Sequence, residues 1–339
     1  MRVGRARIDP LRGARVVARR PLLYARGADA RLDRPPHVRA GSALTAHDGQ
    51  LAVVQDDACF LAIVDRDGPV RDVPFPISDG VRLFDDDRGN KKKKLDLEAA
   101  FVARDGALLV ALGSGSSPLR ERVVLVAHPF GETPRVTIVE AKDLYDVLRS
   151  APAFCGSELN VEGAAVHGDD VVFFQRGNGA PRSTPQGEIA PVDATARMSL
   201  TALLEHLEGA GPPPSLREII QWDLGRAPMD VGPTGRRLTF TDGAVTPSGV
   251  LAFLACAEDS PDATRDGPVS AVAIGTLDEA ARTAELGLVL DESGAPLLDK
   301  AEGLAFDAAD GARAFVVTDR DDPDAPSELL ELRLGDAWS

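Results

Sequence analysis

Short apolar runs of four to six residues, bounded by Gly, Asp and Pro, recur along the whole chain and predict strands rather than helices. Five segments repeat one pattern: an acidic or small residue, a few small or apolar residues, a polar turn with Gly or Asp, then a second apolar run. They begin at Ser42, Glu98, Glu162, Asp242 and Glu302, and their second runs begin at Leu51, Leu108, Val171, Val250 and Ala314. A third run follows each pair, from Phe60, Val123, Glu218, Val269 and Leu329. A more polar fourth strand fits residues 70–75, 135–139, about 226–238, and 283–290. Such self-similarity is the mark of a repeat fold. It predicts an all-β chain, a single β-propeller domain over residues 1–339, with about five four-stranded blades and six as the alternative count.

The fifth repeat lacks its fourth strand. The run at residues 14–24, within an N-terminal segment of residues 1–30, supplies it and closes the ring. An insertion at residues 180–214 lengthens the third repeat. Within it Leu200, Leu203, Leu204 and Leu207 form one apolar stripe, the spacing of a helix. That insertion is assigned to the loop between the second and third strands of its blade, so the helix is expected to lie over the channel as a lid. A second helix is predicted over residues 141–150.

In a four-stranded blade with strands a to d running outward, the start of strand a, the b–c loop and the d–a connection share one end. Strand a begins at or near Glu98, Glu162, Asp242 and Glu302, which puts four candidate catalytic carboxylates around one channel mouth. The b–c loops add Gln55, Asp56, residues 114–117, Arg176, Asn178, residues 258–260 and Asp319 to the same end. Side chains two apart on a strand share a face, so Lys94 and Asp96 align with Glu98, Asn160 with Glu162, and Lys300 with Glu302. Lys94, Asn160, Arg176, Asn178, Lys300 and Asp319 are therefore candidate ligand-binding residues, Arg176 for an anionic group. Two readings stay open here. The lysines neutralise the carboxylates, or unpaired carboxylates raise one another's pKa and call for a cation, a proton or a cationic ligand.

Charge and composition narrow the partners. A net charge of −15 disfavours nucleic acid and anionic membrane, leaving a small-molecule ligand. Three distant cysteines, Cys59, Cys155 and Cys256, suggest neither a disulfide framework nor a zinc site, and a reducing compartment suits them. Residues 1–20 are Arg-rich without a following apolar run, which favours a soluble, cytoplasmic protein. Five scattered histidines show no ligand spacing. The sequence carries no signal for oligomeric state.

The segments Asn160-Val-Glu162-Gly-Ala-Ala and Lys300-Ala-Glu302-Gly-Leu-Ala resemble the inner-strand starts of the calcium-dependent propellers, the esterase-like phytase-type and gluconolactonase or senescence-marker proteins. That resemblance implies a divalent cation, calcium for instance, held by Glu162, Asn160 and Glu302 and polarising a lactone or phosphoester oxygen. The function so implied is a metal-assisted hydrolase, lactonase-, esterase- or phosphoesterase-like, acting on a small oxygen-rich substrate at the mouth. The alternative is a non-catalytic scaffold or ligand-binding propeller. A carboxylate-pair glycosidase is a third reading, disfavoured by only two Trp and two Tyr to form sugar platforms.

Overall fold

Nearly continuous apolar runs, rather than alternating ones, are what a strand needs when both of its faces are covered, and here each sheet is sandwiched between two others. A computed structural model describes residues 3–65, 68–77, 80–185, 187–227, 235–259 and 267–338. Its chain opens with β1 (Gly4–Ile8) and β2 (Ala14–Pro21). Blade one is β3 (Gly41–His47), β4 (Gln50–Gln55), β5 (Phe60–Asp65) and β6 (Val70–Pro74). Blade two is β7 (Leu97–Ala103), β8 (Leu108–Gly113), β9 (Arg122–Ala127) and β10 (Arg135–Glu140), followed by helices α1 (Lys142–Arg149) and α2 (Pro152–Cys155).

Blade three begins with β11 (Val161–His167) and β12 (Asp170–Gln175). A small hairpin of β13 (Arg182–Thr184) and β14 (Gly187–Ile189) comes next, then β15 (Asp193–Ser199), helix α3 (Leu200–Leu207) and β16 (Arg217–Asp223). Blade four is β17 (Leu238–Val245), β18 (Leu251–Glu258), β19 (Val269–Asp278) and β20 (Thr283–Leu290). Blade five is β21 (Lys300–Phe306), β22 (Arg313–Asp319) and β23 (Glu328–Leu334), completed by β2.

Among the described residues these strands make a propeller of five four-stranded sheets, each antiparallel. The inner strands β3, β7, β11, β17 and β21 each lie against the inner strands of the two neighbouring blades, β21 against β3 included, so the ring is closed. Five apolar cores fill the five gaps. Leu97, Leu109 and Val124 pack with Ala52 and Ile63 between blades one and two, and Phe174, Phe240 and Phe253 stack edge to face between blades three and four.

The predicted closing strand is β2, paired antiparallel with β23 from Ala14 opposite Leu334 to Pro21 opposite Glu328. Arg19 ties it down through Glu328 at 2.7 Å, Asp299 at 3.0 Å and Glu292 at 3.2 Å. Strand β1 was not foreseen. It inserts parallel between the outer strands β16 and β20 and staples blade three to blade four. Gly4 permits this, because a Cβ there would stand 2.4 Å from the Trp222 ring.

The third blade corrects the sequence reading. Its third strand is β15, and the run from Glu218 is the fourth strand, so α3 occupies the c–d connection. Ser199, just before α3, pairs with Asp170 at the start of β12, and Arg104 in the β7–β8 turn reaches Glu208 at 2.6 Å. The helix therefore lies at the end opposite the mouth and is no lid. Its Leu203, Leu204 and Leu207 are buried in the core between blades two and three. Of the fourth strand expected near 226–238, the described residues show an isolated bridge of Arg226 to Arg237, and residues 228–234 lie outside the described residues. Ser260 of the expected b–c loop also lies outside them. Among the described residues no helix is long and apolar enough to cross a membrane.

Candidate functional site

All five inner strands carry a bulge at the same step. The register advances two residues on strand a for one on strand b, leaving Ser42, Glu98, Glu162, Thr241 and Glu302 as the extra residue of their strands. A bulge re-aims a side chain and ends regular pairing. Four of these residues, all but Thr241, line a polar cavity of about 70 Å³ at the mouth.

Of the residues singled out in the sequence, Glu98, Glu162, Glu302, Lys94, Asn160, Arg176, Asn178, Lys300 and Asp319 meet in this cavity. Asp242 does not. It stands one residue beyond the bulge, fully buried, and accepts hydrogen bonds from its neighbour Gly243 N and from Leu304 N of blade five, both at 2.7 Å. Thr241 has the equivalent position, its hydroxyl buried without a hydrogen-bond partner among the described residues. Lys91, Ser42 and Arg120 also line the cavity and were not among the candidate site residues read from the sequence. Arg120 comes from a short helical turn in the b–c loop of blade two, and it had no flanking pattern to reveal it.

The alignments at spacing two are present as contacts. Lys94 Nζ is 2.8 Å from Asp96 and 2.5 Å from Asp56, and Arg120 is 3.0 Å from Asp96. Asn160 donates to Glu162 at 2.5 Å and to Asn178 at 3.2 Å. Arg176 pairs with Glu162 at 3.4 Å and with Glu258. Lys300 is 3.6 Å from Glu302, 3.3 Å from Asp319 and 3.1 Å from Asp321. Glu98 is the exception: it forms no hydrogen bond or ion pair among the described residues, although it lines the cavity.

These surroundings drive neighbouring carboxyls apart. Burial, then the charges of Asp56, Glu162 and Asp96, push Glu98 well above the usual carboxylate range against the pull of Lys94. Burial also pushes Asp56 up, to about 8, with Lys94 opposing and Asp96 and Asp57 reinforcing the rise. Burial works in the same direction on Asp96, but Lys94, Arg120 and a hydrogen bond from Ser114 outweigh it and hold that acid below its ordinary value. Glu302 is raised well above its usual range by burial, against Lys300 and Arg176, and its Oε2 has no hydrogen-bond partner among the described residues.

The cation implied by the resemblance does not fit its expected ligands. Asn160 turns its N–H toward Glu162, Glu162 is held by Arg176, and Glu302 has Lys300 as counter-ion. Among the described residues, the carboxylates whose oxygens do approach as metal ligands would are Asp56, Asp96 and Glu98, all within 4.8 Å of one another. There the Lys94 ammonium already stands against two of the three.

The chain belongs to a family of unknown function, DUF6929, which it matches over residues 37–334. Comparison with curated protein sequences finds no match. Among solved structures, it is similar to a glutaminyl cyclase from Myxococcus xanthus (13% identity, TM-score 0.47, covering 98% of this chain and 99% of that one). It is also similar to a streptogramin B lyase (10%, 0.40, covering 94% and 98%). A third likeness is to a mannose phosphorylase from Leishmania mexicana in complex with phosphate ion (14%, 0.42, covering 93% and 88%). Likenesses this remote carry nothing about chemistry, and the architecture rests on the strand pairing.

Proposed function

We propose that the mouth hydrolyses an ester-type bond, a lactone, carboxylic ester or phosphoester, of a small oxygen-rich molecule by acid–base catalysis. The observation that carries this reading is Glu98, a carboxyl pushed well above the usual carboxylate range by burial and by its acidic neighbours, yet lining the cavity with no hydrogen bond or ion pair among the described residues. Pairs of acids whose environments separate their pKa values are the usual basis of acid and base roles. Glu98 gives its proton to the leaving oxygen as the bond to it breaks. Asp56, which titrates near 8 and lines the same cavity, takes a proton from the water that forms the new bond. Transfer of that proton back to Glu98 resets the pair. Lys94 and Lys300 offset the negative charge that develops on the ester oxygen. In this reading Lys94 takes the part the resemblance gave to a divalent cation.

The test is a panel of small aryl esters, aryl phosphates and lactones assayed with the full chain. Glu98→Gln keeps the shape of the side chain but has no proton to give, and kcat is expected to fall by about 10²–10⁴. Activity in the native protein should rise with pH through about 8 as Asp56 ionises, and Asp56→Asn should remove that rise. No hydrolysis across the panel, or rates unchanged in both variants, overturns the proposal. One observation favours a second reading. Six carboxylates and five cationic side chains line the cavity, close to balance, as a neutral ring in a non-catalytic propeller requires. A silent panel with intact folding supports that reading.

A further inference from the structure

The inner strands change chemistry at the bulge. Up to it they present the acids and bases of the mouth. Beyond it, residues 44–46, 100–102, 164–166, 243–245 and 304–306 contain one polar side chain, Thr45, and no charge. These five triplets, which include the Ala-Ala and Leu-Ala that follow the Glu-Gly of blades three and five, line a separate funnel of about 400 Å³. The β3–β4 turn and residues 307–309 after β21 also border it, so it opens at the end opposite the mouth. Five strands making the same switch is not what a water-filled channel needs, since concave apolar wall left wet costs about 25 cal/mol per Å². The volume falls in the range of small-molecule sites, which are largely apolar with a few polar groups.

The charged or titratable groups in the lining are His47, Asp48 and Asp307, from the adjacent blades one and five. His47 lies 3.4 Å from Asp48, and Asp307 lies 3.9 Å from Arg313 while accepting from Ala309 N at 2.9 Å. Two carboxylates at one side of an apolar funnel, in a chain of net charge −15, favour a cation over an anion. We infer that the funnel binds a small apolar molecule with a cationic end, its hydrocarbon among the five triplets and its charge at Asp48 and Asp307. Nothing in this inference depends on the chemistry proposed for the mouth.

Calorimetric titration of the full chain with decylammonium, decanol and decanoate, each below its micelle concentration, tests it. Decylammonium is expected to bind saturably at one per chain, with decanoate at least about tenfold weaker. Two blocking substitutions at exposed lining positions, Ala46→Trp and Pro247→Trp, should each weaken decylammonium by about tenfold or more while circular dichroism stays native. Asp48→Asn should narrow the gap between decylammonium and decanol. Absence of saturable binding, decanoate binding as tightly as decylammonium, or undiminished binding in both folded tryptophan variants overturns the inference.

Discussion

Asp242 is where the sequence reading and the structure give different answers for one residue, and Asp242→Ala separates them. The side chain is fully buried, and its two oxygens take the backbone N–H groups of Gly243 and Leu304, the second of which belongs to the neighbouring blade. Alanine leaves both N–H groups buried without acceptors, at about 1–3 kcal/mol each. Relief from burying a carboxyl that burial pushes well above its usual range offsets part of this, so the net loss is about 2–5 kcal/mol. For 339 residues, an unfolding entropy of about 2.1 cal/mol/K per residue makes 1 kcal/mol worth roughly 1.4 °C, and the expected fall in Tm is about 3–7 °C. Asp242→Asn keeps one acceptor but opposes an amide N–H to the other backbone N–H, so it should lose about half as much. Differential scanning calorimetry reads the result. A fall of less than about 1 °C in Asp242→Ala, or lost hydrolysis at unchanged Tm, refutes the role of Asp242 in joining blades four and five and returns it to the chemistry.

Stability should also decline as pH rises from about 4 to about 8. Burial, the largest influence on each, raises Asp56 to about 8 and both Asp57 and Asp193 to about 6 in the folded protein. Over that window the folded chain holds protons that the unfolded chain has released, so deprotonation favours unfolding; Asp96, shifted the other way, costs stability only in more acidic solution. A Tm at pH 8.5 equal to or above that at pH 5 contradicts this. Treatment with EDTA, or addition of calcium, should leave Tm unchanged, because the Lys94 ammonium already pairs with both Asp56 and Asp96. A calcium-dependent rise that disappears in Asp56→Asn would show that a metal displaces that ammonium. Arg19→Ala cuts the closing strand from Glu292, Asp299 and Glu328 and should cost about 1 kcal/mol, read as a Tm fall of one to two degrees; no change would mean that pairing with β23 alone holds the ring shut.

The blades were legible because burial on both faces writes itself as unbroken apolar runs, such as Leu251–Glu258, and because the turn residues between them recur. The mouth was legible for a related reason: an acid, followed by Gly in blades three and five, marks where an inner strand leaves its polar end, and a partner two residues away shares its face. What failed were features fixed by pairing rather than by composition. Strand β15 reads Asp-Ala-Thr-Ala-Arg-Met-Ser, and its polar start is tolerated because Asp193 accepts from Gly177 N and Phe240 N, both at 3.1 Å, and pairs with Arg237 at 2.8 Å. No local signal reports those partners. Connections in a blade alternate between the two ends, so overlooking this one strand carried α3 from the far end to the mouth and turned a core helix into a lid. Asp242 failed by a single residue. Its Asp-Gly imitates the Glu-Gly of blades three and five, but the pairing of Phe240 with Ala255 and of Asp242 with Leu254 puts the bulge at Thr241. Because a strand's side chains alternate, that one step separates a group that faces the cavity from one that bonds the next blade. In this fold, then, the residue types of a site are read from motifs, while its membership is decided by register, and only the pairing partner sets the register.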